Sequence, residues 1–293
     1  MKLSELLNVL KTAETVEEMD MRREEIAALI PAVRTMFGYD QKNSAHQYDL
    51  WMHSLHVVCN LPRRMENDMV YLAALLHDIG KPEAQCRGKR EGDPDMHYYG
   101  HPEKSMEIVR DIVIPELDRQ GYVIPCFDVQ ELLYYVKYHD DHVSVKLKHV
   151  RRHTKMASFA MFQNLMLLQL ADAKAHIQIP VIAERAEICG RLAGEEGSLL
   201  YQNILAVKKR PSAKADAKIS VGQSARQIRG FDGRKHCGEN QKHFEKFLRH
   251  GISATGNFTV RDPGIRIGKK KITGKNAITE NDLEKMHETM DEL

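Results

Sequence analysis

Met69-Val70-Tyr71-Leu72-Ala73-Ala74-Leu75-Leu76-His77-Asp78-Ile79-Gly80-Lys81-Pro82 is the stretch that decides the fold. From Met69 to Leu76 it is apolar nearly all round, as befits a helix in the centre of a bundle. Gly80-Lys81-Pro82 ends that helix. Outward from it, apolar residues recur at helical spacing through about residue 200 and no alternating strand pattern stands out, so the expected class is all-α.

On the N-terminal side, Thr15-Val16-Glu17-Glu18 has capping-box form ahead of a run holding Met19, Ile26, Ala27, Leu29 and Ile30. A helix through Leu50, Trp51, His53, Leu55 and Val58 stops before Leu61-Pro62. On the C-terminal side, a polar loop over residues 86–95 leads to Gly100-His101-Pro102-Glu103, a helix start with an early proline. That helix is expected to bury Met106, Val109, Ile112 and Val113. Asp128-Val129-Gln130-Glu131 opens another, through Leu132, Leu133 and Val136 to His139. A long helix over residues 156–176 carries Phe159, Leu165, Leu168 and Asp172, and one over 181–192 closes the packed part.

The formal charge of +2 conceals a partition. Residues 1–205 hold 24 basic and 30 acidic side chains, residues 206–279 hold 18 and 5, and the last fourteen hold 1 and 6. Of the 88 residues after Leu205, 17 are Leu, Ile, Val or Phe, a level at which a charged segment does not build a core. The expected organisation is a helical segment at 1–24, a packed domain at 25–200, and a basic, polar, mostly flexible extension at 201–293. Within the extension, residues 240–250 are expected to form a short amphipathic helix and residues 258–267 a hairpin. The charge of 206–279 predicts RNA or DNA contact, with a solvated tail as the plainer account. Five scattered cysteines without a CxxC pair make a disulfide framework and a thiolate zinc site unlikely candidates. No apolar run has the roughly 18 residues of a membrane span, and the expected location is the cytoplasm.

The ionisable residues fall where the apolar pattern makes them costly. His77 and Asp78 close the most hydrophobic helix, and Asp172 lies inside Leu167-Leu168-Gln169-Leu170-Ala171-Asp172-Ala173. A buried carboxylate needs a cation or strong hydrogen bonds. Two carboxylates on core helices, with histidines at the ends or faces of others, are the ingredients of a divalent-metal site. Imidazole with carboxylate suits manganese, iron, cobalt, nickel or zinc, and magnesium less well. Each residue alone has a plainer reading, a surface helix-end histidine or a salt-bridged aspartate; the joint pattern favours metal.

That pattern resembles the HD superfamily of metal-dependent phosphohydrolases, in which a histidine, a later His-Asp pair and a final aspartate bind metal. The matching residues are His53, His77-Asp78 and Asp172, within Tyr48-Asp49-Leu50-Trp51-Met52-His53-Ser54-Leu55, Leu75-Leu76-His77-Asp78-Ile79-Gly80-Lys81-Pro82, Tyr98-Tyr99-Gly100-His101-Pro102-Glu103-Lys104-Ser105 and Leu170-Ala171-Asp172. It looks most like the HD domain attached to bacterial CCA-adding tRNA nucleotidyltransferases, over about residues 25–190. The resemblance implies that His101 and His139 hold a second metal, or contact the phosphate and protonate the leaving group. Lys81 is expected to meet a substrate phosphate, or to act as a cation beside a helix C-terminus. His56 is expected to be a face histidine, His97 a loop residue, and Asp140, Asp141 and His142 a solvated cluster.

The implied activity is metal-dependent hydrolysis of a phosphoester, with a nucleotide, cyclic phosphate or RNA end as substrate. Asp78, Lys81, His101 and His139 are the expected catalytic residues, and His53, His77, Asp78, Asp172, His101 and His139 the expected metal ligands. Hydrolysis of (p)ppGpp or a deoxynucleoside triphosphate is a variant of the same chemistry. The rival class is a nucleic-acid-binding or adaptor protein using the fold as scaffold. No GxxxxGK[ST] phosphate loop occurs, which disfavours a P-loop ATPase.

Overall fold

A computed structural model describes residues 1–90 and 92–209. The chain runs through α1 (Leu3–Thr12), α2 (Val16–Asp20), α3 (Arg23–Leu29), a 3₁₀ turn (Pro31–Met36), α4 (Leu50–Asn60), α5 (Asp68–Leu76) and α6 (Lys81–Ala84). A two-stranded hairpin, β1 (Cys86–Arg87) and β2 (Met96–His97), precedes α7 (His101–Ile108), a π-helical turn (Val109–Val113) and α8 (Ile114–Arg119). Then come α9 (Cys126–Tyr138), α10 (Leu147–His153), α11 (Phe159–Ala175), α12 (Pro180–Ala193) and α13 (Glu195–Lys209). The architecture is all-α. No helix among the described residues is long and apolar enough to cross a membrane.

Helix α5 occupies the centre. Every residue from Met69 to Leu76 is buried, and the helix packs on α1, α4, α9 and α11. Asn67 starts it, its Oδ1 accepting from the Met69 and Val70 amides. The same side chain reaches α9, where its Nδ2 donates to the buried Glu131 carboxylate. Burial pushes the Glu131 carboxyl above its ordinary value of 4.5, against the opposing effect of the Asn67 amide. The folded state therefore holds that proton more tightly than the unfolded chain. Stability from this group falls as pH rises from the ordinary value through the raised one. Glu131→Gln should melt with the wild type near pH 4 and above it at pH 7; a lower melting temperature at pH 7 would refute this reading.

Several expectations are corrected. The run from Met19 to Ile30 is two short helices, α2 and α3, broken at Met21-Arg22. The supposed loop at residues 86–95 carries a hairpin in which Cys86 pairs with His97 and Arg87 with Met96. Met106, Val109 and Val113 are buried as expected, but Ile112 is 53% exposed. Pro115 has no N–H to give the preceding turn, and its ring crowds the carbonyl four residues back. The wider π turn relieves this and carries Ile112 off the buried face. Met156 lies outside its expected helix, which begins after the Ser158 cap, and α10 was not anticipated.

The last described helix, α13, crosses the expected boundary at residue 200 and buries Ile204. The remainder of the expected extension, including the helix at 240–250 and the hairpin at 258–267, lies outside the described residues.

Candidate metal centre

Each candidate ligand is held by the end of a helix or by its most buried face. Asp49 caps α4, its carboxylate accepting from the Met52 amide at 2.7 Å, and His53 follows one turn later with only 1% of its surface exposed. His77 and His139 stand at the C-termini of α5 and α9. His101 opens α7 behind Gly100, whose φ of +76° lies in the left-handed region that glycine enters at no steric cost. Asp172 projects from α11, between the buried Ala171 and Ala173.

Gly80 sets the spacing between two of these ends. Its amide donates to Ser105 Oγ at 3.0 Å, and a Cβ there would lie 2.4 Å from the Ser105 nitrogen. Any side chain at residue 80 would push the start of α7, and with it His101, away from the His77-Asp78 turn.

Three histidines share one device. His77 Nδ1 lies 2.8 Å from the Ala74 carbonyl, His101 Nδ1 2.8 Å from that of Tyr98, and His139 Nδ1 2.7 Å from that of Val136. A carbonyl only accepts, so each Nδ1 carries a proton, and while the ring is neutral each Nε2 presents a lone pair. Those lone pairs converge on Asp78. Its Oδ1 is 3.1 Å from His101 Nε2 and 3.2 Å from His139 Nε2, and these two nitrogens are 3.1 Å apart. Its Oδ2 is 3.2 Å from His77 Nε2 and 3.6 Å from His53 Nε2. Asp172 Oδ1 lies 3.1 Å from His53 Nε2 and 3.8 Å from His77 Nε2. Despite these approaches, His77 Nε2 and Asp78 Oδ1 are buried without a hydrogen bond. With the rings neutral these are acceptors packed against acceptors, which a positive charge between them relieves, and the donor set fits a divalent cation.

The charges around the two carboxylates act in the same sense on both. Burial opposes ionising Asp78, but His77, Lys81, His101 and His139 hold its carboxyl well below the usual range. Burial likewise opposes ionising Asp172, and His176, His53 and His77 hold it down. Burial drives His53 to about 4, against the pull of Asp172, and also lowers His139. His77 moves the other way, because the two aspartates outweigh its burial.

All the predicted site residues meet here, on the wall of, or just beneath, a cavity of about 340 Å³. Lys81 lines the cavity and makes a pairing that was not anticipated. It is buried, its Nζ 2.7 Å from both Asp78 Oδ2 and Gln41 Oε1, so it pairs with a carboxylate of the centre itself. His56 stacks on Tyr48 away from the cavity, whereas His97 lines it while paired with Asp93 at 2.9 Å. Asp141 is not a solvated side chain: it holds the buried His153 at 3.1 Å and Arg152 at 2.6 Å.

Four residues were missed. His46 and His176 pack their rings on His53 at 5.2 and 4.9 Å, and His46, driven to about 2 by burial and the Lys81 charge, faces the Lys81 ammonium. Gln41 binds Lys81, and Arg185 reaches the cavity from α12. The one available signal was the spacing of His176, four residues after Asp172 and so on the same helical face. His46 and Gln41 lie in a segment with no periodicity.

No solved structure matches the chain. A match to a protein family does exist, and it spans the candidate ligands from His53 to Asp172: residues 46–175 match the HD domain, which defines a superfamily of metal-dependent phosphohydrolases.

Proposed function

We propose that this chain hydrolyses a phosphoester with a divalent metal held by His53, His77, Asp78 and Asp172. One observation carries the reading: His77 Nε2 and Asp78 Oδ1 are buried without a hydrogen bond and face groups that, with the rings neutral, are themselves acceptors, an arrangement that suits a cation. His101 and His139 meet the oxygen of Asp78 opposite to the one facing His53 and His77, so these two histidines and Asp78 would hold a second ion. When bound, such ions would lower the pKa of water to about 7 in favourable sites and would neutralise charge on the phosphate.

The chain's own residues supply the rest. Lys81 holds Asp78 from its outer side and offers a positive charge to a phosphate oxygen in the cavity. The cavity is at the small end of the range for ligand sites, so it would admit a phosphate and its neighbouring sugar, with the remainder of the substrate left outside. Nucleotides, cyclic phosphates and RNA ends fit this arrangement, and the likeness of the four sequence blocks to the HD domain of CCA-adding enzymes favours the last two. The basic stretch at 206–279 would add salt-sensitive attraction to RNA or DNA.

The test is a screen of purified protein with Mn, Fe, Co, Ni, Zn or Mg against 2′,3′-cyclic nucleotides, mononucleotides, model phosphodiesters, (p)ppGpp and deoxynucleoside triphosphates. Turnover that requires an added metal and stops with chelator is expected. Inertness toward every phosphoester with every metal refutes the proposal.

A further inference from the structure

We infer that Arg185 is a positioning residue of the metal centre, supplied by a helix that lies outside the matched HD segment. The inference rests on the metal-dependent reading above. Arg185 belongs to α12, which begins at Pro180, beyond the end of the match at residue 175. Its guanidinium makes three contacts: Nη1 with Asp140 Oδ1 at 2.7 Å, Nη2 donating to the His139 carbonyl at 2.9 Å, and Nη2 with Asp172 Oδ2 at 3.9 Å.

Each contact acts on a ligand. The carbonyl of His139 is among those that a helix C-terminus leaves without an intrahelical partner. Arg185 supplies that partner and fixes the backbone of His139, while the bond from Nδ1 to Val136 fixes the ring. For Asp172 the guanidinium selects between two oxygens. Oδ2 turns toward the permanent charge, which leaves Oδ1 facing His53, His77 and His176. Asp140 holds the opposite edge of the guanidinium, so the plane cannot swing out. A lysine has one ammonium on a flexible stem and cannot span these three positions. Arg185 thus orients two ligands from different helices, α9 and α11, and reaches the metal only through them.

Partners of this outer kind typically change metal affinity or activity by about 10–100-fold when removed. The experiment is a Mn²⁺ titration of the full chain by calorimetry, with apo-protein melting measured alongside. Arg185→Ala and Arg185→Lys should both weaken Mn²⁺ binding by about 10–100-fold, and Asp140→Asn should weaken it in the same direction by less. Arg191→Ala serves as the control, since Arg191 shares the helix but makes only exposed pairs with Glu187 and Glu196; it should bind Mn²⁺ as the wild type does. If Arg185→Ala fails to fold, the Lys and Asn variants decide. Wild-type affinity in the Arg185 variants, with Asp78→Ala still unable to bind, overturns the inference and leaves the metal centre standing. Absence of binding in the wild-type protein to Mn, Fe, Co, Ni, Zn and Mg alike overturns both.

Discussion

The Asp78→Ala protein is expected to carry no stoichiometric metal and to lose turnover on whichever phosphoester the wild type hydrolyses. Four histidines and a lysine converge on Asp78: His53 and His77 on one oxygen, His101 and His139 on the other, and Lys81 beside them. The loss should exceed the roughly 10–100-fold that removing an outer partner costs. Breaking the buried pair with Lys81 also costs about 3–5 kcal/mol, so the variant must be checked for folding. Asp78→Asn keeps the volume and an acceptor oxygen while removing the charge, and separates the two effects. Metal content by elemental analysis and turnover at saturating metal are the measurements. Wild-type values for both in the Ala protein would sink the assignment.

Trp51→Ala should be the most damaging single change to the fold. Trp51 is fully buried on α4, with its ring edge-on to Phe37 at 4.8 Å and its Nε1–H donating to Asp20 Oδ1 at 2.8 Å. It therefore joins the end of α2, the chain after the 3₁₀ turn and the helix that carries His53. Truncating a buried tryptophan costs about 3–5 kcal/mol, and for a domain of this size that lowers the melting temperature by roughly 10 °C. Trp51→Phe restores most of the packing but forfeits the bond to Asp20, at about 1 kcal/mol. Trp51 is the sole tryptophan, so circular dichroism rather than intrinsic fluorescence must follow the unfolding. A loss of under about 2 °C in the Ala protein would contradict the packing described.

What the sequence made legible follows from where burial is one-sided. Helix α5 could be read directly because eight successive buried residues admit no other account. Helix α10 could not, because in Leu147-Lys148-His149-Val150-Arg151-Arg152-His153 the buried residues are one valine and one histidine, too sparse for a periodic signal. The exposure of Ile112 depends on a π turn, which shifts the helical phase within a few residues and defeats any fixed period. In the centre, His77, Asp78 and Asp172 were legible because polar groups in apolar surroundings stand out, whereas His53, His101 and His139 entered through the resemblance of their sequence blocks to the HD superfamily. His46 and Arg185 were not, since only tertiary packing carries a loop and a later helix to the same cavity. Lys81 was placed near the right atoms, but its pairing with Asp78 and Gln41 was not legible, because it depends on a turn that spacing alone does not define.

The bond from each ring Nδ1 to the carbonyl three residues earlier makes His77 and His139 the closing members of their own helices and His101 the opening member of its helix. Unravelling of any one of those termini and release of a ligand are consequently a single event. Local opening and metal loss share one equilibrium, so an ion in the centre slows fraying at α5, α7 and α9 together, and a lengthened or shortened last turn in α5 or α9 would rotate a ligand out of the centre altogether.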